Sequence, residues 1–351
     1  PEVNPMRGVE NTSGPLGQGH VMAVGAAIAE RFLVARFGET VAHKTYAFIS
    51  DGGIQEEISA GAGRIAGYLG LNNLIMFYDS NDVQLSTDVN EVTDEDVAAK
   101  YRAWIWNVLE INGNDAEEIA KSIESALAEQ DRPTLIIGKT IMGLGCVTPE
   151  GANFEGMCST HGQPLSKSGA SYEKTVENLG GDMNDPWKIW DDVAELYASR
   201  KAELETIVAA RYAAEKEWAA ANPELAKQLE DFVEGNLPEI DYEAITYKPN
   251  VATRTASASV LSVLGEKVKN MIVSSADLAN SDKSEAFLNK VGALKHHDFS
   301  GGFLHAGVAE LTMTAIMNGI ALHGGMWAAC ATFFVFSDYM KPAIRMAALQ
   351  E

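Results

Sequence analysis

The order of apolar and polar segments in the first half of the chain predicts alternating strands and helices. Two apolar, β-prone runs, residues 45–50 and 74–78, flank a helix-like stretch at 54–69. A third run, 134–139, follows the amphipathic segment 116–129. Apolar strands joined by helices are typical of parallel sheets. Such sheets bind ligands at the carboxyl ends of their strands, so polar residues at those ends are candidates for chemistry.

A charged segment separates this pattern from a second one. From about residue 186 to 238, Ala, Glu, Lys and Trp dominate, and apolar residues recur at helical spacing. This composition predicts an exposed helical connector without chemistry of its own. Beyond it, strand-like residues 271–273, a helix-like run at 308–322 and strand-like residues 331–336 indicate a second α/β unit.

Length and composition agree with this division. The chain has 351 residues, of which 46% are hydrophobic and 22% charged, so it can bury two cores and is neither fibrous nor disordered. We predict an α/β fold with parallel sheets flanked by helices. Its parts are a first domain at 1–185 that lacks its N-terminal part, a helical connector at 186–250, and the front of an incomplete second domain at 251–351. The abrupt ends favour a piece of a longer protein.

The net charge of −22 narrows the choice of partners. Such a surface repels phosphate backbones, which argues against nucleic acid and against an anionic membrane. An anionic ligand would need a pocket that collects a local minority of positive groups. The longest apolar run, residues 327–336, covers about half of a bilayer span, and the chain starts without a signal-like segment. We therefore predict a cytoplasmic protein.

A glycine-rich turn lies ahead of the first helix-like run. Gly14, Pro15 and Leu16 open this turn, which spans residues 14–19 and precedes the run at 20–32. Glycines before a helix let backbone N–H groups approach a phosphate. The turn lacks the Lys-Ser/Thr pair of a P-loop, and taken alone it is more typical of a purely structural turn.

Two neighbouring strand ends carry oxygen ligands. Asp51 and Gly52 follow the first strand, and Asn81 follows the second, with Val83 close behind it. A carboxylate, an amide oxygen and a backbone carbonyl near Val83 are hard donors of the kind that Mg²⁺ prefers, and a diphosphate with water would complete its octahedron. The alternative is a pair of turn-forming residues, because Asp-Gly and Asn-Asp are common in turns.

Several residues of the second unit could contact a ligand. Asp277 follows a strand, where it could bind a ligand or belong to a helix cap. Glu310 lies in an apolar helical run, where a carboxyl group could act as a proton donor or simply reach solvent. Phe333, Phe336 and Tyr339 recur at three-residue spacing and could stack on a planar ring, although such a stripe is more often core.

One histidine stands apart from the other six. His161 lies in a loop-like stretch, where a histidine is more often functional than in a core. The others show no repeated ligand spacing, so the sequence predicts no zinc site. These six are His20, His43, His296, His297, His305 and His323.

Four motifs, taken in their order along the chain, resemble the transketolase family of thiamine diphosphate enzymes. They are residues 8–19, 161–165, 275–278 and 313–319, and the resemblance spans nearly the whole chain. Ser50 stands where the family usually has glycine, and Gln163 replaces its usual alanine. Neither departure removes a ligand.

The resemblance implies a cofactor and a metal ion. Asp51, Asn81 and the Val83 carbonyl would hold Mg²⁺, or Ca²⁺ or Mn²⁺ in its place, against the diphosphate of thiamine diphosphate. Glu310 would protonate the aminopyrimidine ring of the cofactor, and His161 would lie beside the reacting carbon. The implied cofactor contacts are Gly14, Pro15, Leu16, Gly52, Asn81, His161, Asp277, Glu310, Phe333, Phe336 and Tyr339.

The resemblance also implies an assembly and a reaction. The family places its cofactor between two subunits, so a homodimer is implied, with Glu56 linking the paired active sites. Arg254 and Ser281 match positions that bind the phosphate end of a sugar. The implied reaction moves a two-carbon ketol unit from xylulose 5-phosphate to ribose 5-phosphate in the pentose phosphate pathway. The alternatives are another thiamine diphosphate enzyme, such as a dihydroxyacetone synthase, or a truncated chain without catalysis.

Overall fold

A computed structural model describes residues 9–350 of the chain. The helices of this part are α1 (Gln18–Phe37), α2 (Asp51–Gln55), α3 (Glu57–Leu69), α4 (Val97–Ala103), α5 (Ala116–Ala128), α6 (Leu165–Ser168), α7 (Tyr172–Asn178), α8 (Asp191–Ala221), α9 (Pro223–Val233), α10 (Thr253–Lys267), α11 (Ala279–Asp282), α12 (Glu285–Val291), α13 (Glu310–His323) and α14 (Ser337–Gln350). The strands are β1 (Thr45–Ser50), β2 (Leu74–Ser80), β3 (Asn107–Asn112), β4 (Thr134–Lys139), β5 (Met271–Ser275), β6 (Phe303–His305) and β7 (Trp327–Ala331).

The first sheet is parallel, in the order β1-β2-β4-β3. Ser50 pairs with Asp79, so β1 and β2 end at the same edge and deliver Asp51 and Asn81 to it. The sequence analysis missed β3, which lies at the other edge of the sheet. Its residues are only half-buried or exposed, and they therefore lack the continuous apolar run that identifies the central strands.

The second sheet is also parallel, in the order β6-β5-β7. The strand predicted at 331–336 is wrong in position. Strand β7 pairs with β5 from Trp327 to Ala331 and stops where β5 stops, and Phe334–Phe336 instead forms a short 3-10 helix. The α/β class with parallel sheets flanked by helices is confirmed for both units.

The turn predicted after β1 is the first turn of a helix. Ser50 caps α2, because its Oγ accepts a hydrogen bond from the Gly53 N–H at 3.3 Å. The single helix predicted at 54–69 is broken at Glu56, whose φ of −59° and ψ of 131° lie outside the helical region. Asp51 therefore stands at a helix N-terminus and not in an open turn.

Helices α1 and α13 join the two units through glycines. A Cβ on Gly25 would lie 2.1 Å from the Ile316 carbonyl oxygen, and one on Gly319 would lie 1.9 Å from the Met22 oxygen. The backbones thus approach more closely than any side chain would allow. Buried residues of both helices belong to one hydrophobic cluster, so the core is shared between the units.

The connector is helical, as the sequence indicates. Helix α8 has no buried residue, whereas Phe232 in α9 is buried and packs edge-on against Phe37 of α1, with ring centroids 5.5 Å apart. The domain limits at 185 and 250 stay a prediction. Within residues 9–350, no helix is both long and apolar enough to cross a membrane.

Burial of His20 in α1 predicts an acid-sensitive fold. The residue is 6% exposed and its Nε2 has no hydrogen-bond partner among the described residues, and burial lowers its pKa from 6.5 to about 4. Below pH 6.5 the unfolded chain binds a proton that the folded chain does not, so stability falls until about pH 4. Between pH 6.5 and 5, we expect the wild type to lose about 2 kcal/mol more than His20→Gln. Urea unfolding at several pH values measures this, and equal pH slopes for the two proteins would contradict it.

Candidate functional site

Asp51 lies at the centre of the first group of candidate residues. Its side chain is buried, 2% exposed. Oδ1 accepts a hydrogen bond from the Tyr78 hydroxyl at 2.6 Å, and Oδ2 accepts one from the Asn81 N–H at 3.1 Å. Burial raises the pKa of the carboxyl group, and these two hydrogen bonds oppose the rise. A cation beside Asp51 would further favour its ionised form.

The loop after β2 brings the other two predicted metal ligands to the same place. Asn81 Oδ1 accepts a hydrogen bond from the Val83 N–H at 3.0 Å, so Asp51, Asn81 and Val83 form one hydrogen-bonded chain. Between the last two, Asp82 adopts a left-handed φ of 63° and pairs with Lys139. Few non-glycine residues have a left-handed φ, and those that do are found preferentially at functional sites.

The glycine-rich turn passes over the start of α2 and α3. A Cβ on Gly52 would lie 2.9 Å from Leu16 Cδ1, so these two predicted cofactor contacts touch. Gly17 has a φ of 84°, and a Cβ there would lie 2.9 Å from the Cβ of Glu56. The turn therefore places Leu16 against α2, with the exposed Glu56 beside it. Gly14 is exposed, and a Cβ built on it would have no atom within 4 Å from the described residues other than Gly14 itself and its two neighbours in the chain.

His161 follows the 3-10 helix Cys158–Thr160 and is half-buried. Its Nδ1 is buried and has no hydrogen-bond partner among residues 9–350. An unpaired buried nitrogen is costly, and a polar ligand would remove this cost. This unsatisfied nitrogen and the oxygen-rich donor set at Asp51 both fit an anionic cofactor held with a hard metal ion.

The second unit gathers an aromatic group. The rings of Phe333 and Phe336 are nearly parallel, with centroids 6.2 Å apart, and Phe336 lies 6.5 Å from Tyr339 in a similar orientation. The Arg254 guanidinium carbon lies 5.8 Å from the centroid of Phe333. None of these aromatic side chains is fully buried, so the group is not a closed core and its rings can contact a ligand.

Two acidic candidates of the second unit lie at chain positions with special geometry. Asp277 follows β5 with a left-handed φ of 61° and an exposed side chain. Glu310 is the first residue of α13 and is half-buried; the sequence pattern placed it two residues inside the helix. Ser281 lies in α11, where its Oγ donates to Asn280 at 3.1 Å.

The structure thus forms two groups of predicted residues, one in each unit. No hydrogen bond or ion pair within the described chain joins the group around Asp51 to the group around Phe333 and Glu310. Sequence reasoning missed Tyr78 and Lys139, which support the first group. A signal for Tyr78 was present, since a hydroxyl group in the apolar strand 74–78 needs a partner.

Two family models match the chain. The transketolase thiamine diphosphate binding domain matches residues 1–238, and the transketolase pyrimidine binding domain matches residues 249–351. The first match covers the group around Asp51, and the second covers the aromatic group, Asp277 and Glu310.

Individual relatives of the chain are also transketolases. A transketolase of Halalkalibacterium halodurans is 41% identical over 367 residues, and one of Geobacillus stearothermophilus is 39% identical over 364. These matches cover 100% and 99% of this chain and 52% of each relative, so the chain spans about half the length of the curated relatives it matches.

Solved structures agree with these matches. The transketolase from Leishmania mexicana superposes with a TM-score of 0.88 at 29% identity, covering 98% of this chain and 51% of that one. The transketolase of Pichia stipitis in complex with sedoheptulose 7-phosphate has a TM-score of 0.87 at 30% identity, covering 98% and 52%.

Proposed function

Because the chain belongs to the transketolase family, we propose that the protein carrying it transfers a two-carbon ketol unit from a ketose phosphate to an aldose phosphate. This membership confirms the resemblance drawn from the sequence motifs. Xylulose 5-phosphate is the proposed donor and ribose 5-phosphate the proposed acceptor. The observation that carries the proposal is the group of oxygen donors formed by buried Asp51 and half-buried Asn81, at the sheet edge where α/β folds bind ligands. A role in the pentose phosphate pathway and a cytoplasmic location stay predictions.

We assign the first unit to the diphosphate end of thiamine diphosphate. Gly14, Pro15, Leu16 and Gly52 would contact this end of the cofactor, and the contact between Leu16 and Gly52 supports their assignment. The unpaired Nδ1 of His161 would gain a polar partner there. When bound, thiamine diphosphate supplies the electron sink that two-carbon transfer requires and that side chains cannot supply.

We also propose that a divalent metal ion binds together with the cofactor. Asp51, Asn81 and the carbonyl of Val83 would hold Mg²⁺, with Ca²⁺ or Mn²⁺ as substitutes. The hydrogen-bonded chain through these three residues supports the assignment, since it fixes their positions. In the turn between Asn81 and Val83, Asp82 is left-handed and pairs with Lys139.

The second unit would serve the pyrimidine end of the cofactor. Phe333, Phe336 and Tyr339 present incompletely buried rings for stacking. Glu310, at the start of α13, would hold a proton at the ring, and Asp277 would contact the same end. As the resemblance to the family implies, we propose that each active site combines the first unit of one subunit with the second unit of another. Glu56, exposed beside the glycine-rich turn, would link the paired sites of this homodimer.

An assay of product formation tests the proposed reaction. Protein supplied with thiamine diphosphate, Mg²⁺, xylulose 5-phosphate and ribose 5-phosphate should form sedoheptulose 7-phosphate. If formaldehyde replaces ribose 5-phosphate as the better acceptor, the protein is a dihydroxyacetone synthase. If cofactor binds and neither acceptor reacts, the chain is a binding partner without catalysis.

Arg254 is the residue that we expect to select phosphorylated sugars, together with Ser281. Its guanidinium lies exposed beside Phe333, and a guanidinium can bind phosphate through two hydrogen bonds. Losing bonds to a charged group costs about 1.5–3 kcal/mol, so Arg254→Gln should raise KM for the sugar phosphate about 10- to 100-fold at nearly constant kcat. Steady-state kinetics measure this, with the exposed connector variant Arg211→Gln as control. An unchanged KM would place the phosphate elsewhere.

A further inference from the structure

Two histidines from opposite ends of the chain meet on the surface between the two units. His43 lies in the loop ahead of β1, and His323 is the last residue of α13, 280 residues later. Their rings are nearly parallel, with an interplanar angle of 15°, and the two Nε2 atoms lie 3.1 Å apart. His43 is exposed and His323 is half-buried.

The partners of the other ring nitrogens show which nitrogen of each neutral ring carries the hydrogen. Nδ1 of His43 lies 3.1 Å from the Val41 carbonyl oxygen, and Nδ1 of His323 lies 3.0 Å from the Gly324 carbonyl oxygen. A carbonyl oxygen only accepts, so each Nδ1 carries a hydrogen. A neutral imidazole has one N–H, and both Nε2 atoms therefore present lone pairs to each other. Two lone pairs at 3.1 Å repel unless a cation lies between them.

We propose that His43 and His323 form a binding site for a divalent transition-metal ion of the Zn²⁺ class, which clips the first unit to the second. With Zn–N bonds of about 2.0–2.1 Å and tetrahedral angles, two imidazole nitrogens on one ion lie about 3.3 Å apart, close to the observed spacing. Metal-bound histidines also characteristically donate their other N–H to a carbonyl or carboxylate oxygen, as both do here. Water would complete the coordination, since His43 is open to solvent.

A buried carboxylate lies beside the pair. Glu30 is fully buried beside it, accepts a hydrogen bond from the His43 backbone N–H at 3.0 Å and pairs with Arg31 at 2.5 Å. Lys44 turns its ammonium group to the Asn72 carbonyl oxygen at 2.9 Å.

Sequence spacing does not reveal this site, because its two ligands are 280 residues apart. A metal ion bound by both histidines closes a loop of 280 residues. Closing a long loop removes more conformational entropy than closing a short one. Metal bound only by the folded chain adds to its stability by mass action. Zinc should therefore raise the melting temperature through this pair.

The test is a zinc titration of the metal-stripped chain with excess Mg²⁺ present, followed by calorimetry and thermal unfolding. We expect one equivalent of Zn²⁺ to bind and to raise Tm, and both His43→Gln and His323→Gln to weaken this binding by about tenfold or more. His305→Gln, at an exposed histidine packed on Phe303, is the control and should bind like wild type.

Cobalt gives a second readout that folding differences do not imitate. Co²⁺ in place of Zn²⁺ should produce visible absorption bands of a tetrahedral nitrogen-ligated ion, absent in the double variant of His43 and His323. If wild type and double variant bind Zn²⁺ equally and give the same cobalt spectrum, the pair holds no metal and a proton alone resolves the contact. That result would overturn the proposal.

Discussion

Replacing Asp51 with alanine should abolish the magnesium-dependent binding of thiamine diphosphate. In the wild type we expect Mg²⁺ to strengthen cofactor binding, since the proposed metal ion would be held by Asp51 and would offset the negative charge of the diphosphate. Asp51 is the one charged donor of the proposed ligand set, and its two oxygens also order Tyr78 and the Asn81 backbone. Because even supporting residues of metal sites change affinity by about 10- to 100-fold, we expect a loss of about 100-fold or more.

Calorimetry with and without Mg²⁺ measures this effect. Asp94→Ala, which removes an exposed carboxylate from a nearby loop, is the matched control and should bind like wild type. Tyr78→Phe removes only the hydrogen bond to Asp51 and should weaken binding about tenfold. If Asp51→Ala keeps its magnesium dependence, the metal is bound elsewhere and the proposed ligand set is wrong.

We expect Gly319→Ala to destabilise the fold strongly. In most helix interiors this substitution stabilises, because alanine has the higher helix propensity by about 1 kcal/mol. Here the new Cβ would lie 1.9 Å from the Met22 carbonyl oxygen of α1, so the two backbones must move apart and open the shared core. We expect a loss of about 3 kcal/mol in the free energy of unfolding.

Urea unfolding followed by circular dichroism measures this loss. Ala321→Ser, two residues along α13 on its exposed side, is the control and should stay within about 0.5 kcal/mol of wild type. Gly25→Ala places a Cβ of α1 against the Ile316 carbonyl oxygen of α13, and it should lower the free energy of unfolding by a similar amount. A Gly319→Ala protein as stable as wild type would show that α1 and α13 separate without cost.

The sequence predicts the central strands and the helices well, and it fails where tertiary contacts decide. Strands β1 and β4 have the predicted bounds because their apolar runs are sharply delimited. Strand β3 lacks such a run, and β7 ends early because its partner β5 ends at Ser275. The break at Glu56 leaves no propensity signal, since glutamate is a good helix former.

The candidate site shows the same limit. Asp51 and Asn81 could be found because parallel strands carry their carboxyl ends to one edge, a rule that needs only the order of elements. The hydroxyl group of Tyr78 in an apolar strand was a sequence signal for a buried partner, but its pairing with Asp51 and the role of Lys139 depend on strand register and loop geometry. The contact of His43 with His323 depends on the packing of α1 against α13, which no local pattern records. Glu310 was located within one turn of its true helix position.

The close approach of α1 to α13 also has a consequence for synthesis of the chain. Helix α1 is made early, and its partner follows only after most of the remaining sequence. At roughly 5–20 residues per second, tens of seconds separate the two on the ribosome. During this interval the face of α1 that contacts α13 has no partner, although β1 and α3 of the first unit can already pack on the rest of the helix. The exposed face is a natural substrate for a chaperone that shields nascent chains from aggregation. The shared core is thus completed only after α13 has been translated.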